Sequence, residues 1–334
     1  MKKKQIVGIV IAGLVFVFVC ISGVLSNYLS NQLMKETNKD MVSFLMAAGE
    51  SYELPLDPFI GVVKVEGTIA DVETSVFETA LYNHQGTLDY IDAMMDSDAN
   101  RGILLYVNSP GGGVYESDEL YLKLMEYKEA TNRPIWTYMG NQACSGGYYI
   151  SMASDQVVAN RNCWTGSIGV IISLTNLKGL YDKLGIQEID ITSGKNKAMG
   201  SSGQDMTDEQ RGILQSMVDE AYEQFVGIVA TGRDLDVDTV KSAADGRIYT
   251  AKQALDLNLI DSIDSYENMI SNFCDEVGDD VEMYEPYNTT TDLVSSLFSM
   301  YKGVKTKSDA QIVTEYLENK GNGVLMYYAE PGQY

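Results

Sequence analysis

Apolar positions in the first half of the chain alternate between short continuous runs and longer segments with helical spacing. The short runs are rich in Val, Ile, Leu and aromatic residues and predict four strands, at 59–65, 102–107, 135–139 and 156–159. Apolar residues that recur every three or four positions predict helices between them, at 87–96 and 116–131. This alternation predicts an α/β fold with a parallel sheet, right-handed crossovers and functional loops at the carboxyl ends of the strands.

The second half of the chain is predicted to be mostly helical. We expect helices at 174–184 and 207–230, a strand at 186–191, and acidic helical segments up to about residue 276. The composition then shifts towards Tyr, Thr and Ser, so we assign residues 285–334 to a C-terminal extension. Its apolar run at 324–328 is interpreted as an edge strand or as a strand that pairs with a neighbour.

The N-terminal segment is predicted to anchor the chain in a membrane. Residues 6–26 carry no charge, and a helix of about 21 residues at about 1.5 Å each spans about 31 Å, the thickness of the hydrocarbon layer. The lysines within residues 1–5 place that end in the cytoplasm and the rest of the chain outside the cytoplasmic membrane. A cleaved signal peptide is the alternative, although no A-x-A site follows the run. Residues 27–57 are predicted to form a polar stalk and residues 58–284 the folded domain.

Composition narrows the classes of function. The formal net charge of −23 excludes nucleic acid as a partner, because phosphate binding needs clustered Lys and Arg. The four cysteines have neither metal-ligand nor disulfide-framework spacing, and the chain has one histidine, His84. We therefore expect no metal site and no cofactor.

A serine flanked by glycines, Ser145, lies where the strand at 135–139 leads into a predicted buried helix. Such a turn exposes a hydroxyl at the positive end of a helix, which suits a nucleophile. The alternative is a serine that only caps the helix. Cys144 is a rival nucleophile, but a cysteine protease needs a histidine partner, and His84 lies in a polar stretch elsewhere in the chain.

Acyl transfer by a serine also needs an oxyanion hole and a base. The N–H of Gly146 is a natural oxyanion donor, and the glycine loop 111–113 can bring a second N–H to the same sheet edge. Because histidine is scarce, the leading base is a lysine whose pKa is lowered by desolvation from about 10.4. Lys195 and Lys197 lie in a loop of small and polar residues with no acidic neighbour before Asp205. Activity that depends on such a base should rise with pH.

Four motifs resemble, in their order, those of the signal peptide peptidase A family. They comprise residues 108–113 (Asn-Ser-Pro-Gly-Gly-Gly), 143–149 (Ala-Cys-Ser-Gly-Gly-Tyr-Tyr), 166–170 (Gly-Ser-Ile-Gly-Val) and 193–201, which contains Lys197. The resemblance covers roughly residues 58–270, and four motifs in sequence are far more specific than any one of them. It implies a crotonase-like and Clp-protease-like α/β fold with a peptidase domain at 58–284.

The resemblance also implies the roles of the site residues. Ser145 is then the nucleophile of a Ser/Lys dyad, and Lys197, rather than the other lysine of its loop, is the base. Ser167 would orient Lys197. Gly112 and Gly146 would supply the two N–H groups of the oxyanion hole.

The implied function is that of a membrane-anchored serine endopeptidase that degrades remnant signal peptides at the extracytoplasmic membrane face. A single copy of the module implies a short-form bacterial member that assembles into a membrane-tethered homo-oligomeric ring, with the dyad completed within one subunit or between neighbours. The expected preference is for apolar or small side chains. Two alternatives stay open: a related protease that acts on other membrane or envelope proteins, and a catalytically silent ring-forming scaffold. Retention of both Ser145 and Lys197 favours an enzyme over the scaffold.

Overall fold

An eight-stranded, mostly parallel sheet organises the fold. The structure is a computed structural model that describes residues 52–71, 82–278, 280–286 and 326–328. The strands are β1 (Phe59–Glu66), β2 (Asn100–Ser109), β3 (Gly111–Gly113), β4 (Ile135–Cys144), β5 (Gln156–Ala159), β6 (Trp164–Gly166), β7 (Ile248–Thr250), β8 (Ser262–Ile263), β9 (Glu282–Tyr284) and β10 (Met326–Tyr328). The helices are α1 (His84–Asp96), α2 (Val114–Thr131), α3 (Gly146–Ser151), α4 (Lys178–Leu184), α5 (Asp208–Arg233), α6 (Val237–Ala243), α7 (Ala251–Asp256) and α8 (Tyr266–Val277).

The sheet places two strands along one edge of β4. Its order is β7–β6–β4–β2–β1–β9, with β5 also paired to β4 and β8 paired to β5. These pairs are parallel except for β6–β7, which confirms the predicted α/β class with a mostly parallel sheet. β5 pairs with the first half of β4 and β6 with its last three residues. The carboxyl end of β4 is therefore held by β6 at the point where the chain turns.

Both faces of the sheet are buried, which accounts for the nearly continuous apolar runs of its central strands. The larger core lies on the face that α1, α2, α3 and α5 cover. On the other face, α8 contributes Met269 and Phe273. The Phe273 ring stacks on Trp136 of β4, with the ring centroids 4.9 Å apart.

Most predicted elements of the folded domain are confirmed. The four strands of the first half form, and β4 extends beyond residue 139 as far as Cys144. The helices around 87–96, 116–131 and 207–230 form as well, and Thr207 caps α5 in the predicted capping box with Gln210. The glycine loop at 111–113 is a short strand, β3, which pairs antiparallel with β10.

The predicted strand at 186–191 is wrong. This segment has no regular secondary structure, and Ile191 is almost fully exposed at 98%. An apolar alternation forms a strand only where a sheet edge is available, and no strand in the described part of the chain pairs with it. The preceding helix begins at Lys178 rather than at 174, because the N–H of Leu177 donates instead to the carbonyl of Ser202, at 2.7 Å.

The predicted membrane anchor at 6–26 lies outside the described residues, as do most of the predicted stalk and C-terminal extension. Within the described ranges, no helix has both the length and the apolar character that a membrane crossing requires.

A partly buried ion pair joins the end of α5 to the strands at the centre of the sheet. The Arg233 guanidinium donates to both carboxylate oxygens of Asp261, at 2.9 and 2.7 Å, and Asp261 also accepts the N–H of Val157 at the start of β5, at 2.7 Å. Burial opposes ionisation of Asp261, yet these hydrogen bonds hold the pKa of its carboxyl below the usual value. The pair therefore stabilises the folded state most fully above the unfolded pKa of about 3.9.

Asp261→Ala should lower the free energy of unfolding by about 2 kcal/mol, less than the about 3–5 kcal/mol of a fully buried pair because solvent reaches Asp261. Removal of the carboxylate leaves the Arg233 charge and the Val157 N–H without their partner. The difference in unfolding free energy between wild type and variant should diminish as the pH falls through the folded-state pKa of Asp261, because the carboxyl is then protonated in the wild type. Chemical denaturation at several pH values measures it. The matched control Asp256→Ala, which breaks the exposed pair with Lys252, should change little; an equal loss in both variants would contradict the assignment.

Candidate active site

Ser145 lies at the carboxyl end of β4, directly before α3, in a strained conformation. Its φ of 51° and ψ of −115° are unfavourable for a residue with a Cβ, and such strain costs of the order of 1–3 kcal/mol. Two backbone hydrogen bonds hold it there: the Ser145 N–H donates to the carbonyl of Gly166, and its own carbonyl accepts the N–H of Tyr149, both at 2.8 Å. The residue is 1% exposed. The surrounding strands and helix thus fix the direction of its side chain.

The glycine strand β3 runs beside Ser145, and one of its two edges is hydrogen-bonded to Ile69. Ile69 donates its N–H to the carbonyl of Gly111, at 2.9 Å, and accepts the N–H of Gly113, at 2.8 Å. In such a bridge the N–H and C=O of the intervening residue, Gly112, face the opposite side. The backbone donor of Gly112 is therefore directed away from Ile69.

Neither of the two predicted oxyanion residues tolerates a side chain, because Gly112 is packed against Ile69 and Gly146 against Ser117 and Gly112. A Cβ atom on Gly146 would lie 2.5 Å from Ser117 Oγ and 3.1 Å from the backbone nitrogen of Gly112. A Cβ atom on Gly112 would lie 1.8 Å from the carbonyl oxygen of Ile69. Ser117 is fully buried, and its hydroxyl makes no hydrogen bond with a described residue. Glycine at both positions brings two backbone amides to the turn that carries Ser145.

A strand from the C-terminal extension occupies the free edge of β3. In β10, Tyr327 pairs with Gly112 and Met326 with Gly113. On its other side, Met326 exchanges two backbone hydrogen bonds with Ile171, at 3.0 and 3.1 Å. A groove one strand wide therefore runs past Ser145, between β3 and Ile171.

Ser167 also lies beside Ser145. It follows Gly166, the residue that pairs with Cys144 and accepts the N–H of Ser145. Its φ is 49°, and its N–H donates to the carbonyl of Arg247 at 2.8 Å. The structure thus brings Ser145, Ser167 and the two glycine amides to one end of the sheet.

The structure does not bring the predicted base to this cluster within one chain. Lys197 is exposed, and its side chain makes no hydrogen bond or ion pair with any described residue. Lys195 is paired with Glu209, at 2.7 Å, and its hydrogen bond lowers the pKa of that carboxyl. The sequence argument that both lysines lack an acidic neighbour therefore fails for Lys195, because the first turn of the following helix, α5, supplies one.

Cys144 and His84, the other residues considered for the catalytic chemistry, lie in settings that do not suit it. Cys144 is buried, and burial raises the pKa of its thiol to about 12, which leaves the thiol protonated at neutral pH. His84 is buried away from Ser145, where its ring nitrogens bond Glu119, at 2.8 Å, and the Tyr82 hydroxyl, at 2.7 Å. Neither residue has the setting of a catalytic group. Among the described residues, no cluster of His, Cys, Asp and Glu has the geometry of a metal site.

Two parts of the site were not assigned to it from the sequence. The sequence pattern gives Ile69 no role in the site, yet its backbone fixes the orientation of β3. The run at 324–328 was expected to be a strand, but nothing in its composition indicated that it would pair with the glycines.

Comparisons with known proteins identify the family of this chain. Residues 127–278 match peptidase family S49. A putative signal peptide peptidase SppA of Enterococcus faecium is 38% identical over 260 residues, which are 76% of this chain and 75% of that protein. A putative protease of Synechocystis is 42% identical over 166 residues, or 50% of this chain and 59% of that protein. The chloroplast serine protease SPPA of Arabidopsis thaliana is 27% identical over 282 residues, or 80% of this chain and 41% of that protein.

The chain spans three quarters of the first of these relatives and less than two thirds of the other two. The matched family segment contains Ser145, Gly146, Ser167 and Lys197, and the longer match to the Enterococcus protein exceeds 30% identity over most of both chains. The chain therefore belongs to the SppA group of peptidase family S49 and is a serine peptidase.

Proposed function

We propose that this chain is a serine endopeptidase in which Ser145 is the nucleophile and Lys197 the base, and that it degrades remnant signal peptides at the extracytoplasmic face of the membrane. The observation that carries the proposal is the strained turn at Ser145, held between the backbone amides of Gly112 and Gly146. A structural turn needs neither the strain nor the two side-chain-free neighbours. A nucleophile with an oxyanion hole needs both.

The reaction follows from the positions of these groups. The Lys197 amine in its neutral form takes the proton of the Ser145 hydroxyl as Oγ attacks the peptide carbonyl carbon. The carbonyl oxygen becomes negative and accepts hydrogen bonds from the N–H groups of Gly112 and Gly146. The C–N bond then breaks, and the leaving amine receives the proton. A water molecule hydrolyses the Ser145 ester and restores the hydroxyl.

A second copy of the chain supplies the lysine in this proposal. Lys197 is exposed and unpartnered within the described residues of its own chain, so the dyad needs a neighbour or a large rearrangement. Among the described residues, the segment that leads to Lys197 also carries half of the exposed large apolar side chains, a concentration typical of an interface. They are Ile171, Leu174, Leu180, Leu184, Ile186, Ile189 and Ile191. Repetition of such a head-to-tail contact closes a ring.

A trough with both polar and apolar walls lies beside the Lys197 loop. It has a volume of about 440 Å³, and its lining includes Ala198 of that loop, Asp205, and Arg211 and Leu214 of α5. A neighbouring subunit that covers the exposed apolar side chains at 171–191 can also pack into this trough and hold the Lys197 loop in one conformation. Ordering of the loop on assembly would direct the amine of Lys197 towards the Ser145 of that neighbour.

The remaining parts of the proposal rest on sequence. The uncharged run at 6–26 supports an N-terminal membrane anchor with the catalytic domain outside the cytoplasmic membrane. The mostly parallel sheet with functional loops at its carboxyl ends supports a crotonase-like and Clp-protease-like module. The name of the Enterococcus relative supports signal peptides as substrates. The scaffold alternative is disfavoured because a scaffold needs no strained serine.

Ser145→Ala and Lys197→Ala should each reduce cleavage of a synthetic signal peptide by roughly 10³-fold or more, because each removes a reacting group. Two neighbouring residues provide matched controls. Cys144→Ala should stay active with a stability loss of about 1 kcal/mol, since its thiol is buried and protonated. Lys195→Ala should stay active because that lysine is paired with Glu209. Full activity of Lys197→Ala would refute the dyad.

Mixing the two inactive variants tests whether the dyad forms between subunits. A ring that contains both Ser145→Ala and Lys197→Ala chains has interfaces at which an intact Ser145 meets an intact Lys197 of its neighbour. Cleavage should therefore return after the subunits are dissociated and reassembled together, to roughly a quarter of the wild-type rate if neighbours mix at random. Each variant reassembled alone is the control. A mixture as inactive as its components would show that the dyad forms within one chain.

A further inference from the structure

The buried face of α2 begins with a serine at a position where the helical pattern predicts an apolar residue. The face includes Ser117, Leu120, Tyr121 and Leu124, all of them buried. Ser117 is 0% exposed, and its hydroxyl makes no hydrogen bond with any described residue. A buried hydroxyl without a partner lowers the stability of the fold, and alanine would suit the helix better. The fold alone therefore gives no reason for a serine at this position.

Ser117 lies between the two glycines that are predicted to form the oxyanion hole. α2 starts directly after β3, which carries Gly112, and α3 starts at Gly146. A Cβ on Gly146 would lie 2.5 Å from Ser117 Oγ and 3.1 Å from the Gly112 nitrogen. The hydroxyl oxygen and the Gly112 amide thus meet on one side of Gly146. One Cα hydrogen of Gly146 points in the same direction, so Ser117 Oγ is placed to receive a Cα–H···O contact.

The atom at this point determines how closely α2 and α3 approach each other. Alanine at position 117 lacks the oxygen and leaves Gly146 without a support, whereas threonine adds a methyl group to a place that is already crowded. An oxyanion is stabilised fully only if both backbone N–H groups reach the same oxygen atom, and small displacements reduce the rate strongly. The side chain at position 117 is therefore coupled to the alignment of the two amides.

We propose that Ser117 is a positioning residue of the oxyanion hole, and that its hydroxyl oxygen holds Gly146 at the separation from Gly112 at which both N–H groups meet one oxyanion. This inference rests on the proposed function. Ser117 acts through Gly146 and takes no part in the making or breaking of bonds. The stability that the unpaired hydroxyl costs is then exchanged for catalytic rate, a trade that is common at active sites.

The effect of Ser117 should fall on the transition state. An intact peptide binds mainly by strand pairing along the groove, whereas the tetrahedral intermediate needs both amides at one oxygen. Misalignment of the amides should therefore lower kcat and leave KM close to the wild-type value. A serine that only packed two helices together would change the folded fraction and leave kcat per folded subunit unchanged.

The test compares Ser117→Ala and Ser117→Thr with the wild type, as full-length protein assembled in detergent, on a synthetic signal peptide. Ser117→Ala should lower kcat roughly tenfold and Ser117→Thr roughly 100-fold, each with KM little changed and with rates expressed per folded subunit. Urea denaturation should show that Ser117→Ala is at least as stable as the wild type, because the hydroxyl that it removes has no partner.

Ser154→Ala is the matched control for the loss of a buried serine hydroxyl. Ser154 is also buried, but its hydroxyl is hydrogen-bonded to that of Thr137, at 2.6 Å. This variant should keep the wild-type kcat and unfold at a lower urea concentration, because it leaves the Thr137 hydroxyl without its partner. The two substitutions should thus have opposite effects on rate and on stability.

A peptide aldehyde with the sequence of the substrate gives a second measurement. Ser145 Oγ adds to the aldehyde carbon, and the oxygen of the resulting hemiacetal occupies the oxyanion hole. The inhibition constant should rise in Ser117→Ala by about the factor by which kcat/KM falls. The intact peptide should bind Ser145→Ala equally well with and without Ser117→Ala, because its ground state does not need the aligned amides.

The outcomes separate this inference from the proposed function. If the wild type cleaves the peptide and Ser117→Ala has the same kcat and the same affinity for the aldehyde, the positioning role is wrong and the proposed function stands. A fall in rate that disappears when it is expressed per folded subunit would also overturn the positioning role. If the wild type cleaves no faster than Ser145→Ala, the proposed function fails, and this inference fails with it.

Discussion

The active site depends on the close approach of two backbone segments that carry no side chains. A Cβ on Gly112 would collide with the carbonyl oxygen of Ile69, and a Cβ on Gly146 would collide with Ser117 Oγ and crowd the Gly112 nitrogen, so a side chain at either position would displace the backbone. The separation of these two amides determines whether one carbonyl oxygen can meet both. The strained turn at Ser145 is held by the same framework, because β6 supports the end of β4. Strain of this kind persists only where the surrounding structure fixes the conformation.

In the proposed mechanism, the described residues of one chain provide every group except the base. Ser145 and the amides of Gly112 and Gly146 lie at the end of the buried sheet, whereas Lys197 lies on an exposed loop that follows a segment with exposed apolar side chains. An enzyme arranged in this way can acquire its base when subunits meet.

The sequence predicted those parts of the molecule that depend on local pattern. The buried strands β1, β2 and β4 and the capped helix α5 follow from periodicity and capping, and the turn at Ser145 follows from its glycines. The strand expected at 186–191 failed because its apolar alternation has no sheet edge to join. The pairing of Lys195 with Glu209 and of Tyr327 with Gly112 arises from contacts between segments far apart in the chain. No local pattern carries that information, so both required the folded structure.

The most direct test of this account is the distance between Ser145 Oγ and Lys197 Nζ in an experimental structure of the assembled full-length protein. If the proposed dyad is correct, the two atoms lie within hydrogen-bond reach, about 2.6–3.2 Å, and belong to neighbouring subunits. An active assembly in which Lys197 remains in solvent, with another group beside Ser145, would contradict it.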